Sequence, residues 1–273
     1  MRLAISTLAC PDWTLEHIVD CCIANGIGGI EFRGLGTEID ITRTSSFTGG
    51  LARTLALLNK HKLQLPVFAT SVTLVSPGPE RWQDMLDEAH RYAELAGRTS
   101  TPFIRIFGGG VSNGIAEAEA LSMARRHLRQ IIKICKAQGV TPLLETHDAF
   151  ATAAAVKQLL HELDPAEVGV LWDVEHTCRQ GETPGDTAES LGRLIRHIHL
   201  KDSVADGTST TPRKSLPCLL GQGELPLAEI LKAIGAMKYQ GWISLETERR
   251  WHPETSPRPV ESIPHFVRYM SSH

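Results

Sequence analysis

Apolar positions along the chain follow two alternating patterns. Short β-like runs occupy residues 3–7, 29–32, 65–69, 103–107, 141–145, 168–172, 195–200 and 242–246. Between them, apolar residues return every three or four positions, the spacing of one helix face. Leu15, Ile18, Val19 and Cys22 share such a face, with Thr14 placed to cap the helix and Gly26 to end it. Trp82, Met85, Leu86, Ala89, Tyr92 and Ala96 form a second stripe, followed by Gly97. Leu121, Ala124, Leu128, Ile131 and Cys135 form a third, followed by Gly139. The run at 65–69 is the least strand-like, because Pro66 has no N–H to give to a ladder.

A strand followed by a helix, repeated, predicts parallel strands joined by crossovers. Eight such units in 273 residues predict an α/β chain folded as a (β/α)₈ TIM barrel with outer helices. No linker or shift in composition divides it, so residues 1–273 are expected to form a single domain. An open doubly wound sheet usually announces a glycine-rich turn after its first strand. Here the first strand runs into Ser6-Thr7-Leu8-Ala9-Cys10, and there is no GxGxxG.

In a barrel enzyme the chemistry sits at the C-terminal ends of the strands. Strand five ends in Glu145-Thr146-His147 and strand six in Asp173-Val174-Glu175-His176. Strand seven carries His197, His199, Lys201 and Asp202, and strand eight carries Glu246 and Glu248. One polar strand end means little. Four in succession, converging on one mouth, offer Glu145, Asp173, His199 and Glu246 as ligands for one divalent metal ion. Three carboxylates and an imidazole suit Mn²⁺, Mg²⁺ or Co²⁺, with Zn²⁺ also admissible.

The segments LLETH, LWDVEHT, RHIHLKDS and GWISLETERRWHP carry a resemblance to the xylose-isomerase-like barrel superfamily of sugar-phosphate isomerases and epimerases. It spans nearly the whole chain and is strongest from residue 140 to 253. The resemblance implies the same four metal ligands: Glu145, Asp173, His199 and Glu246. It also implies a substrate contact for His176, three residues after Asp173, and an acid/base role for His147, as in the dehydratase branch.

The surrounding residues carry lesser expectations. Lys201 is placed to touch a substrate oxygen and Asp202 to orient a neighbour. His197 reads as a satisfied core histidine. Arg105, inside the apolar FIRIF run, is expected to pair with Glu31 beneath the pocket or to touch substrate. Trp251 is a candidate wall against the sugar. The polar insertion 203–223, with Arg213 and Lys214, reads as a solvated loop, with a lid or phosphate contact as the alternative. Cys178 is assigned no role.

Composition narrows the partner. The chain is 42% hydrophobic and 22% charged, with a formal net charge of −3 and pI near 6.5, and so lacks the basic excess of most nucleic-acid binders. The extra histidines that the trinuclear cluster of endonuclease IV needs on strands three and four are not found near Ala69-Thr70-Ser71 or beside Arg105 and Phe107. The six cysteines include no CxxC pair, and Cys10, Cys22 and Cys135 sit among apolar residues. There is no leader-like start and no apolar run of ~18 residues, so a cytoplasmic chain away from membranes is expected. The expected partner is a small sugar-like molecule, and homo-oligomerisation is left open.

The expected chemistry is proton transfer beside a carbonyl. Glu145 and Glu246 could remove and return the proton while binding the metal. Return to the opposite face epimerises, and return to the next carbon isomerises an aldose and a ketose. Loss of a β-hydroxyl gives dehydration of an inosose or 3-dehydroshikimate, with His147 as the acid. Isomerase or epimerase is the first expectation, the dehydratase the second, and a DNA-repair endonuclease a distant third.

Overall fold

The computed structural model describes residues 1–75, 78–110, 115–206 and 215–273. Strands β1 (Arg2–Ser6), β2 (Gly29–Glu31), β3 (Phe68–Thr73), β4 (Phe103–Phe107), β5 (Thr141–Glu145), β6 (Gly169–Asp173) and β7 (Ile195–Leu200) alternate with helices. These are α1 (Leu15–Ala24), α2 (Leu51–Lys60), α3 (Pro79–Thr99), α4 (Glu117–Lys136), α5 (Ala153–Leu160), α6 (Val174–Arg179) and α7 (Pro184–Leu191). A hairpin of β8 (Asp202–Ala205) and β9 (Ser215–Cys218) follows, then α8 (Leu227–Ala236), β10 (Trp242–Leu245) and α9 (Pro259–Ser272).

Eight parallel strands form one sheet in the order β2-β1-β10-β7-β6-β5-β4-β3. Its two edges meet through bridges from Gly29 to Gln64 and from Phe32 to Phe68. There Ile30 N–H donates to Gln64 O at 2.9 Å and Ala69 N–H to Phe32 O at 3.0 Å. The ring is the expected (β/α)₈ barrel, with β10 as its eighth strand. Gly29 is required at this seam, since a Cβ there would lie 2.7 Å from the Trp242 ring.

The core has two layers. Val67, Leu143 and Leu171, with Phe103 against them, plug the barrel interior. A larger cluster fills the space between strands and outer helices. The helix signals act as physical chemistry requires in α1, where Thr14 accepts from His17 N–H at 3.2 Å. Gly139, at φ 69°, follows α4. Gly97, in contrast, does not end α3. The helix continues to Thr99 and closes on Ser100 in the left-handed region, while Gly97 lets Gln138 O approach to 3.1 Å of where a Cβ would stand.

The third strand begins later than the apolar run suggested. Pro66 cannot join a ladder, so Gln64 makes an isolated bridge and regular pairing starts at Phe68. The described parts of the 203–223 insertion, 203–206 and 215–223, are more ordered than a solvated loop. Asp202 pairs with Cys218 and Ala205 with Ser215 in an antiparallel hairpin, while Arg213 and Lys214 lie outside the described residues. Cys10, Cys22 and Cys135 are buried, as expected. Among the described residues no helix is long and apolar enough to cross a membrane.

Candidate metal centre and active site

The alternation of side chains along each strand decides what enters the barrel. Leu143, Glu145 and His147 share a face of β5 and its extension. Leu171 and Asp173 share one on β6, and His197, His199 and Lys201 share one on β7. Asp173 and His199 are register partners, and His199 also pairs with Ser244, one pleat below Glu246. Glu145, Asp173, His199 and Glu246 therefore converge, with one ligand atom from each lying within 4.8 Å of the others. All four are buried.

His199 has a defined orientation. Its Nε2 faces both oxygens of Glu31, at 2.9 and 3.0 Å. With the proton on Nε2, the lone pair of Nδ1 points at Glu246 Oε1 (3.3 Å), Glu145 Oε1 (3.5 Å) and Asp173 Oδ2 (3.8 Å). Two of these buried atoms, His199 Nδ1 and Asp173 Oδ2, have no hydrogen-bond partner. Buried polar atoms left unpaired and aimed at one another are what a cation would satisfy. The donor set fits a divalent ion.

The charges agree. Burial alone would raise the carboxyl pKa values, yet Arg105 and His199 bring Glu145 down to about 2. His199 and Lys201 hold Glu246 well below its ordinary value despite burial, and Lys201 and His176 lower Asp173. Lys201 is buried with its Nζ 2.5 Å from Glu246 Oε2, 2.7 Å from Asp173 Oδ2 and 3.5 Å from Glu248 Oε1. Its approach to Asp173 is off the hydrogen-bonding direction, so Asp173 Oδ2 stays free as a ligand. Burial would lower the Lys201 pKa, but Asp173 and Glu246 raise it well above normal.

His147 and His176 stand at the mouth with ring centroids 4.3 Å apart. His147 also packs on Phe107 and places Nδ1 3.0 Å from Asp148 Oδ1. Asp148 sits at φ 50°, a left-handed conformation that aspartate tolerates. His176 Nε2 lies 3.8 Å from Asp173 Oδ2, and the Asp173 Oδ1 atom caps α6 by accepting from Glu175 and His176 N–H groups.

Other expected neighbours take different places. Arg105 does not pair with Glu31. Its Nε lies 3.2 Å from Glu145 Oε2, because the β4–β5 register sets Arg105 beside Leu143, one pleat below Glu145. Glu31 instead joins His197, at 2.9 Å, and His199. His197 is thus a bonded core histidine. Asp202 orients backbone rather than a neighbouring side chain. It accepts backbone N–H groups of Gly221, Gly223 and Leu225 and ties down the chain leaving the hairpin. Trp251 is 50% exposed and has the Arg250 guanidinium 5.8 Å from its ring, which does not make it a pocket wall here.

Two features were not anticipated. Glu31 is the residue that fixes the orientation of the His199 ring, and Arg33 is buried two residues further on. The signal for both was present in Gly29-Ile30-Glu31-Phe32-Arg33, where an acid and a base alternate inside an apolar strand end. Behind Lys201, the Glu175 Oε1 atom accepts from Ser203 Oγ, from Ser215 Oγ (2.8 Å) and from Arg179 Nε (2.8 Å), which pins the hairpin to α6.

Residues 19–268 match the family model described as xylose isomerase-like TIM barrel. The chain belongs to that family. Inosose dehydratase of Bacillus anthracis (strain CDC 684 / NRRL 3495) is 26% identical over 145 residues, covering 49% of this chain and 48% of the relative. The match thus spans about half the length of each. Among solved structures, the probable 3-DHS dehydratase of petrobactin synthesis from Bacillus anthracis superposes with a TM-score of 0.78 at 20% identity, covering 99% of both chains. The IolI protein, solved with a bound zinc atom, gives 0.79 at 16% identity, covering 99% of this chain and 96% of its own. At these identities the structures show a shared fold.

The family barrel makes Glu31 testable. Replacing the partner that orients a metal-bound histidine usually lowers metal affinity ~10–100-fold. Glu31→Gln should lose Mn²⁺ affinity by that factor while remaining folded, as read by titration calorimetry. Unchanged affinity would remove Glu31 from the metal centre.

Proposed function

We propose that this barrel, with the whole chain as one domain, is a divalent-metal-dependent enzyme that moves a proton next to a carbonyl of a sugar-like polyol. The observation that carries the reading is the convergence of Glu145, Asp173, His199 and Glu246 on one point with unpaired ligand atoms. Those four would hold the ion. Their oxygen-rich chemistry suits Mn²⁺, Mg²⁺ or Co²⁺, and the zinc in IolI keeps Zn²⁺ among the candidates. A bound ion supplies Lewis-acid polarisation of the carbonyl whose neighbouring carbon loses the proton.

The chain's own groups do the rest. Glu145 and Glu246 are ionised at neutral pH, the state a base needs, and stand on β5 and at the end of β10, on either side of β6 and β7. One takes the proton and the other returns it, which is isomerisation or epimerisation. Lys201 holds Glu246 in place and faces the mouth to contact a substrate oxygen. His176 contacts substrate beside Asp173. The expected absence of nucleic acid and membrane partners, and the cytoplasmic location, belong to this reading.

A specific observation favours the second fate, loss of water. Burial would lower the His147 pKa, but Asp148, whose Oδ1 lies 3.0 Å from Nδ1, raises it, and that shift favours an imidazole at the mouth acting as the acid toward a departing hydroxyl. The relatedness to inosose dehydratase and the shared fold of the 3-DHS dehydratase support the same choice. Metal-loaded protein incubated with ketoses, an inosose and 3-dehydroshikimate should yield a dehydrated product by NMR, and His147→Asn should slow its formation by ~10²–10⁴-fold. Epimer formation without water loss would select the first fate. No metal-dependent turnover of any of them would sink the reading.

A further inference from the structure

The β2–β3–β4 side of the mouth carries two buried guanidinium groups, Arg33 and Arg105, of which only Arg105 has an ion-pair partner among the described residues. Arg33 lies two residues beyond Glu31. It is only 8% exposed, and its Nη1 is buried with no hydrogen-bond partner. Among the described residues no carboxylate forms an ion pair with it. Arg105, 2% exposed, reaches up from β4 over the Phe107 ring at 3.8 Å, and its Nη1 is likewise buried and unpartnered.

The acids on each packed element account for one of these charges. Glu145 on β5 faces Arg105 at 3.2 Å. Glu88 on α3 eases the charge of Arg33, but its carboxylate accepts the Ser71 N–H at 2.5 Å, and burial raises its own pKa. Asp40 is taken by Arg91 at 2.8 Å and by Arg43 at 3.2 Å. Burial, followed by the charge of Arg105, pulls the Arg33 pKa down to about 10, so the two cations sense each other in a dry place. A buried charge without a partner is costly, and a bound anion would offset that cost.

We propose that Arg33 and Arg105 form an anion subsite beside the metal centre, and that the substrate is a polyol-ketone bearing one carboxylate, which docks there. The proposal rests on the preceding reading of the site and adds the substrate class. Carboxylate is favoured over phosphate on two grounds. The donors are planar forks that match a carboxylate, whereas phosphate cradles are built from backbone N–H groups at a helix start or glycine turn. A dianion would also be pressed against the nearby carboxyl groups of Glu145 and Glu88 more strongly than a monoanion.

The test uses binding, so it does not depend on turnover. Shikimate, a ring polyol with one carboxylate, and its uncharged methyl ester are titrated into Mn²⁺-loaded protein by calorimetry. Shikimate should bind at least ~10-fold tighter, as expected of a charge-assisted contact. Arg33→Met should erase that preference with metal content unchanged, and Arg33→Lys should keep part of it. Equal affinity for acid and ester, no binding of either, or a preference that survives Arg33→Met overturns the subsite. Ribulose 5-phosphate preferred over ribulose by a larger factor reassigns the anion to phosphate and overturns the carboxylate. Metal-dependent turnover of neutral inososes with no acid preference would remove the subsite but leave the reaction standing. A clear acid preference in a protein without proton-transfer activity would do the reverse.

Discussion

His199→Ala should strip the divalent metal and abolish turnover, with a larger loss of affinity than the ~10–100-fold expected of the supporting residue Glu31. The imidazole would supply the one nitrogen among the four candidate ligands, and its Nδ1 is the atom about which the three carboxylates gather. The substitution also leaves Glu31 with His197 alone and opens a fully buried space, so a stability loss on the order of 3 kcal/mol is expected. Asp173→Asn separates the two effects. Its remaining oxygen can still cap α6 through the Glu175 and His176 N–H groups, so the fold is kept while the charged metal-facing oxygen is lost. Both variants should be metal-poor by elemental analysis, and Asp173→Asn should melt close to wild type. The pH dependence follows in sign. Burial would lower the His199 pKa, but Glu246 and Glu31 raise it well above 6.5, so protons compete with metal for Nδ1. Affinity should climb as pH rises through neutrality and fall as pH drops. Full metal retention by both variants would reject the ligand set.

Glu246→Gln should keep much of its metal and lose ~10²–10⁴-fold in kcat, the usual contribution of a general acid or base. Glutamine retains the shape and one oxygen but takes no proton at neutral pH. Lys201 keeps Asp173 as a partner at 2.7 Å, so its position should survive. Glu145→Gln should behave likewise, although Arg105 then loses its only carboxylate within 4.0 Å among the described residues. If both carboxylates carry protons, each variant should still exchange with solvent deuterium the substrate proton that faces the surviving one. Near-normal turnover by either metal-loaded variant would reject its role as a proton carrier.

Much of this site could be read before any coordinates, for a specific reason. Barrel strands are buried on both faces, so a charged residue at a strand end stands out against Leu143-Leu144 or Val170-Leu171-Trp172. Alternation then assigns Glu145, Asp173 and His199 to the same interior. Pairing across the barrel is different, because it depends on register rather than on parity. Arg105 has the right parity for either Glu31 or Glu145, and only the β4–β5 register, which sets it beside Leu143, chooses Glu145. The same limit hid the Glu31 contact with His199, between strands separated by 168 residues of sequence. The β8–β9 hairpin was missed because its strands are four residues each and neither alternates cleanly. Trp251 was chosen for its chemistry and its place after the last strand, but a loop after a strand does not fix burial, and this ring is half exposed.

The most direct test of the account is proton exchange by the wild-type protein in D₂O, followed by NMR with an inosose and with 3-dehydroshikimate as substrates. The account predicts that the hydrogen next to the carbonyl is lost or exchanged by Mn²⁺-loaded protein, that chelation stops it, and that adding Mn²⁺ back restores it. Exchange or turnover that continues undiminished after the metal is removed would contradict the account.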